Sequence, residues 1–266
     1  RITPAASDQS RFGNARLTLG LVQTIAPSIG GNDRITTGIH GDIILGGTLD
    51  DTIIANDGES GTTLDDDNVV IGDNGFIDWT AADPSRNYAI PSAGDDTDPS
   101  DIDRVSTTDP NQGGADDITA GAGFDLIFGG TMGDAIRAGG GNDLVFGDHG
   151  EAIAVAGGGV VAGELPLSDA GLADPFVFTA INTQIADDGG DDLIFGEDGE
   201  DIILGQQGND RIDAGNDDDD VFGGHNVANG HDADDSIDGG AGNDVIVGDN
   251  ASILRRGDAL SPRMRV

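Results

Sequence analysis

Aspartate returns at a fixed interval in this chain. In residues 113–150, GGADDITAGAGFDLIFGGTMGDAIRAGGGNDLVFGDHG, the residues Asp116, Asp125, Asp134 and Asp143 stand nine apart. Two residues after each comes a β-branched apolar residue, Ile118, Ile127, Ile136 or Val145, and glycine crowds the residues between. A short carboxylate arm in a tight turn is suited to a hard cation, which takes six to eight oxygens at about 2.3–2.6 Å. A glycine-rich turn can aim several backbone carbonyls at one point, and one Asp adds charge.

Composition narrows that chemistry. Of 50 acidic residues only Glu59, Glu151, Glu164, Glu197 and Glu200 are glutamate; there is no Lys and no Cys among 266 residues, and the net charge is −38. Such a chain repels nucleic acid and anionic membranes. Unpaired carboxylates stacked in dry turns repel one another, and no Lys neutralises them, so Asp at this density calls for cations. A hydrogen-bonded Asp ladder capping the turns without metal is the other reading. Disulfides and thiolate metal sites are excluded. Zinc prefers His or Cys, and the histidines His40, His149, His225 and His231 are scattered; His225 and His231 read as a surface loop. Magnesium prefers rigid octahedral sites and keeps its water.

The elements that position these aspartates cannot be helices. Nine residues make two and a half helical turns, and this much glycine would melt a helix. Short strands joined by turns fit instead, with the residue two after each Asp facing inward and Gly supplying positive φ. In a parallel coil the turns stack about 4.8 Å apart, so two neighbours can share one ion. No apolar run approaches the ~20 residues that span a bilayer; residues 152–163 come nearest.

Along the chain the phase defines blocks. Residues 1–77 hold a strand pattern (15–27) and a first block, Asp33, Asp42 and Asp51, broken by a loop at 55–66 and resumed at Asn68. Residues 78–112, with Trp79, Tyr88 and four prolines, read as an excursion. A second block covers 113–153 and a second excursion 154–186. The third block, 187–253, carries Asp192, Asp201, Asp210, Asp219, Asp235 and Asp244, and 254–266 is a tail or the start of a further excursion. Blocks end in Gly-Asp-Asn or Gly-Asp-His at 72–74, 147–149 and 248–250, where Asp73, Asp148 and Asp249 are extra ligands or turn formers. Thr24, Thr107 and Thr183 lie nine residues before the first Asp of their blocks, which predicts a calcium-free half-turn of the coil at each. The chain reads as a window from a longer array.

Residues 139–147, GGGNDLVFG, and 129–137, GGTMGDAIR, resemble GGxGxDxUx, the nonapeptide of the RTX calcium-binding β-roll. The resemblance implies six-residue calcium turns alternating with three-residue strands, two nonapeptides to a coil. The expected fold is all-β, a right-handed parallel β-roll (solenoid) of about seven coils with two long excursions. By the same resemblance the Ca2+ ligands are Asp33, Asp42, Asp51, Asp116, Asp125, Asp134, Asp143, Asp192, Asp201, Asp210, Asp219, Asp235 and Asp244, with Asn68 able to ligate through its amide oxygen but bringing no charge. The turns at 197–200 and 206–209 lack the leading glycine pair and should be less regular. Phe128, Phe146, Phe195 and Phe222 should face outward as a stripe, covered by the excursions or docked on another subunit.

No Ser-His-Asp order, HExxH or paired Glu supports an enzyme. GAGFDLIFGG is not followed by a helix and is no dinucleotide loop; Arg256-Gly257-Asp258 is a chance tripeptide. The expectation is an extracellular, secreted structural repeat protein, rigidified by several Ca2+ and self-associating into a filament, surface layer or adhesin stalk. It makes no nucleic-acid contact and no membrane insertion. The alternative is a calcium-triggered folding and secretion module of a secreted protease or lipase.

Overall fold

The computed structural model describes residues 2–3, 20–39, 41–57, 67–79, 102–153, 180–185 and 189–253. These residues contain strands and no α-helix, and no helix is long and apolar enough to cross a membrane. Two seven-stranded parallel sheets face each other, so the described residues make seven coils. The outer sheet stacks Arg34–Thr36, Thr52–Ile54, Asp117–Ala122, Ala135–Gly140, Leu193–Asp198, Arg211–Asn216 and Ser236–Asp238. The central sheet stacks Ile43–Leu45, Val69–Ile71, Leu126–Phe128, Leu144–Phe146, Ile202–Leu204, Asp220–Phe222 and Val245–Val247. This is a parallel β-roll.

Register follows the nine-residue phase. In the outer sheet Ile35, Ile53, Ile118, Ile136, Ile194, Ile212 and Ile237 form one column. In the central sheet Ile44, Val70, Ile127, Val145, Ile203, Val221 and Ile246 form the facing one. The two columns meet inside the roll, with Ala55, Ala120, Ala138 and Ala214 filling the corners of that core. β-branched side chains pack well on pleated surfaces, and a one-residue slip would turn every one of them outward, which fixes the phase.

A third sheet covers the roll. Ile2–Thr3, Leu21–Gln23, Gly75–Asp78, Arg104–Thr107, Gly150–Ile153 and Ala180–Thr183 pair antiparallel in that order. Ile77, Val105 and Ala152 of this cover sheet pack on the outward face of the central sheet, against Leu126, Phe128, Leu144 and Phe146. In its middle coils the central sheet is therefore buried on both faces, which is why those strands read VVI, LIF, LVF and IIL (202–204) with no alternation. Outer strands such as RID alternate exposed, buried, exposed.

Two expectations change here. The half-turns expected at Thr24, Thr107 and Thr183 do not form: Thr107 and Thr183 end cover-sheet strands and Thr24 follows one. Their hydroxyls are engaged at the crossing points, Thr107 with Gly150, Thr24 with Gly75 and Thr183 with Asn226. The constant spacing measures the return path from cover sheet to roll. Nor do the four phenylalanines form one stripe: three face outward from the roll and are covered, as one of the two readings has it, by strands at the excursion ends, and the fourth lies on the other sheet. Phe128, Phe146 and Phe222 are buried on the covered face of the central sheet, whereas Phe195 belongs to the outer sheet, beneath the Arg137 guanidinium at 4.3 Å. Phe128 and Phe146 stack with centroids 4.5 Å apart and planes 8° from parallel. Phe146→Ala opens a cavity between central and cover sheets and should cost about 3–5 kcal/mol; urea unfolding in saturating calcium reads it as a lowered midpoint.

Residues 58–66, 80–101, 154–179 and 254–266, hence most of both excursions, the tail and its Arg256-Gly257-Asp258, lie outside the described residues, as does His40.

Candidate metal centres

The fourteen candidate ligands come together as two straight rows, one beside each parallel sheet. In the outer row each backbone N–H donates to the next coil's carboxylate Oδ1: Asp33 to Asp51, Asp51 to Asp116, Asp116 to Asp134, Asp134 to Asp192, Asp192 to Asp210 and Asp210 to Asp235, at 2.7–2.9 Å. The central row repeats the pattern: Asp42 to Asn68, Asn68 to Asp125, Asp125 to Asp143, Asp143 to Asp201, Asp201 to Asp219 and Asp219 to Asp244. The ladder spans both excursions without a break, since Asp51 and Asp116 are 65 residues apart. The hydrogen-bonded ladder and the metal site are thus not alternatives, because a carboxylate has two oxygens and the ladder uses one.

The other oxygen faces the turn. Oδ2 of Asp51, Asp116, Asp134, Asp192, Asp210 and Asp235 in the outer row, and of Asp42, Asp143 and Asp201 in the central row, is buried without a hydrogen-bond partner. A buried acceptor left this way is costly, and one row of them is a structural demand for a positive charge or a proton. The outer-row turns show where the charge belongs. Six of the seven open on glycine, Gly46, Gly72, Gly129, Gly147, Gly205 and Gly223, and a Cβ on any of these would lie 2.1–2.6 Å from the Oδ2 of the Asp that closes the same turn. It would also lie 2.0–2.5 Å from the carbonyl oxygen of the next coil's opening glycine. A carboxylate and a carbonyl oxygen therefore converge on a space that only glycine leaves open. The donor set is all oxygen and carries charge, which fits a hard cation.

The remaining motif glycines do different work. The second and fourth turn positions adopt positive φ, as at Gly139 (φ 117) and Gly141 (φ 129). The turns at 197–200 and 206–209 keep this backbone despite lacking the glycine pair, with Glu197 at φ 81 and Gln206 at φ 85, so they are strained rather than irregular. Met132 occupies a fourth position at φ 70 and is more than half exposed. A left-handed conformation costs a residue with a Cβ roughly 1–2 kcal/mol, so Met132→Gly should raise stability by about 1 kcal/mol, read as a higher denaturant midpoint in calcium.

Electrostatics agrees with geometry. Burial pushes Asp116, Asp201 and Asp210 up to about 8, and nearby carboxylates push the same way, against the backbone hydrogen bond each accepts. Asp134, Asp143 and Asp192 are raised well above the usual carboxylate range for the same reason. Among the described residues no three His, Cys, Asp or Glu side chains converge on one point, so an ion held here would need backbone carbonyls among its ligands.

The family model for the RTX calcium-binding nonapeptide repeat (4 copies) matches residues 30–53, 112–144, 128–151, 186–221 and 220–251. The chain is built on RTX calcium-binding repeats. It binds multiple calcium ions through them, and the matched segments carry every ladder residue but Asn68. No curated protein matches the chain.

Several residues around the RTX turns have other roles. Asp73 is tied through both oxygens, accepting from the backbone N–H of Gly114 and Thr131, and Asp148 accepts in the same way from Gly190 and Gln207. Each clamps the chain where it leaves the roll to the coil it rejoins. Asn68 holds its ladder position but spends its amide oxygen on the Asp42 N–H, leaving a buried Nδ2 without a partner. His225 is not on a surface loop: it is fully buried, with Nδ1 3.0 Å from Thr183 Oγ1, and pins a cover-sheet strand. Burial lowers His149 to about 4. Asp232, not foreseen from spacing because it is out of phase, has a buried, unpartnered Oδ2 close to Gly224.

Proposed function

We propose that this calcium-binding repeat protein is an extracellular structural protein in which the fourteen ladder residues and their turn carbonyls hold calcium, and in which calcium-stiffened rolls join head to tail into a filament, surface layer or adhesin stalk. The observation that carries the reading is the polarity of the ladders. Each rung donates toward one end of the roll and accepts from the other, so the two ends are complementary. Among the described residues the backbone N–H groups of Asp235 and Asp244 face no further coil, and the carboxylates of Asp33 and Asp42 receive no donor from a coil before them.

The sheets end the same way. Arg34–Thr36 and Ile43–Leu45 are edge strands at one end, Ser236–Asp238 and Val245–Val247 at the other. Unpaired edges are templates for another chain. Ile25, Ile29, Ile39 and Ile43 are exposed near the first end, and Ile246, whose column is otherwise core, is 45% exposed at the last. Head-to-tail contacts propagate into a filament wherever the rotation between copies does not close a ring. Calcium would supply the charge neutralisation that a chain of net charge −38 needs before its copies can approach.

Light scattering and negative-stain imaging with and without calcium test the assembly. Linear polymers that appear only with calcium, and that Ile246→Asp shortens, are expected. Monodisperse monomers at high protein concentration in calcium would sink the reading and favour a folding module carried by a larger secreted enzyme.

A further inference from the structure

The two rows of turns are not equivalent. The outer row opens its turns on glycine in each of the six cradles described above. The central-row turns open on Thr37, Ala55, Ala120, Ala138, Gly196, Ala214 and Gly239. Strand register places Ala120, Ala138, Gly196 and Ala214 at one level of successive coils. At Gly196 a Cβ would lie 2.4 Å from Asp201 Oδ2 and 2.2 Å from the carbonyl oxygen of Ala214. Its alanine neighbours carry that methyl, each fully buried in the core of the roll. A methyl at this level crowds the space that the outer row leaves to an ion. The central row also contains Asn68, whose oxygen is taken by Asp42 and whose remaining buried atom is a donor, repulsive to a cation.

We propose that the rows fill with calcium in sequence, the outer row first and at lower calcium concentration, the alanine-opened turns of the central row later and incompletely. The inference rests on the reading that ladder residues hold calcium, and it adds that glycine against alanine at the opening position ranks the sites. It follows that the outer row organises the folded roll, while the central row answers to higher calcium. The outer row is also the one the excursions interrupt, since Gly72 meets Asp116 and Gly147 meets Asp192 across them. First-phase calcium therefore ties each cover-sheet segment to the coil it leaves.

The test is calorimetric titration of the full chain with calcium, supported by equilibrium dialysis. Wild type should show two phases. Asp134→Asn should remove an ion from the first phase, and Asp143→Asn should leave that phase unchanged; Asn68 shows that Asn can keep the ladder hydrogen bond. Ala138→Gly should move one ion from the second phase into the first, and this readout survives if Asp134→Asn fails to fold. One phase in wild type with equal losses from both Asn variants, or an Ala138→Gly titration identical to wild type, overturns the ranking while leaving calcium binding intact. A wild type that binds no calcium overturns the reading beneath it instead.

Discussion

Chelation should unfold the roll. In excess EDTA the far-UV circular dichroism of this chain is expected to lose its β-sheet signal, and calcium in the range of roughly 0.1–1 mM should restore it cooperatively. The reason lies in what each coil buries. Ladder carboxylates such as Asp51, Asp134, Asp143, Asp192 and Asp210 are at most 2% exposed, stacked coil on coil, with one oxygen each unpartnered. Among the described residues the basic side chains in ion pairs, Arg104 with Glu151 and Arg137 with Glu197, reach none of them. An isolated buried charge costs several kcal/mol even after relaxation, and here the cost recurs at every half-coil. The aliphatic core offsets part of it but is only one side chain deep from each sheet. Metal binding and folding are then one equilibrium, and the loss on chelation should be close to complete. The cover sheet goes with it, because its apolar face packs on the central sheet.

Acid should do part of what calcium does. Asp116, Asp201 and Asp210 are raised by burial from 3.8 to about 8, and Asp235 to about 6. Between about pH 4 and pH 8 the calcium-free roll therefore binds more protons than the unfolded chain, so its stability rises as pH falls and is lost as pH climbs through 8. His149, lowered by burial to about 4, and His225, also lowered by burial, oppose this below pH 6.5 as two groups against many. With saturating calcium that slope is cancelled, because the ion takes the place of those protons, and apparent calcium affinity should rise across the same window. Far-UV circular dichroism in EDTA should show β-structure returning as pH falls from 7.5 to 5, while denaturant midpoints in saturating calcium should differ little between the two. Calcium-free stability that rises with pH would contradict the burial argument.

The nine-residue phase made the roll legible, because period-two strand geometry and the identity of the Asp were both written locally. Ile118, Ile127, Ile136 and Val145 occupy the core as their spacing requires. The cover sheet was not legible from that phase, since antiparallel pairing of Gly75–Asp78 with Arg104–Thr107 and of Gly150–Ile153 with Ala180–Thr183 depends on segments far apart in sequence. A local signal did exist: LIF and LVF have no polar position, whereas RID does, and a strand without a polar face must be buried twice. The roles of Asp73 and Asp148 were hidden because a clamp between the turn that leaves and the coil that returns has no fixed spacing. The glycines of one motif proved to be of two kinds, some needed for positive φ and some for the absence of a Cβ, a distinction the letter G does not carry.

The central claim is that calcium occupies the space beside the opening glycines of the outer row. Anomalous scattering from crystals grown in calcium tests it most directly. Peaks should line up beside Gly72, Gly129, Gly147 and Gly205, within coordination distance of Oδ2 of Asp116, Asp134, Asp192 and Asp210. A folded roll in calcium with no anomalous density along this row, its carboxylates bonded to water or protonated, would contradict the account.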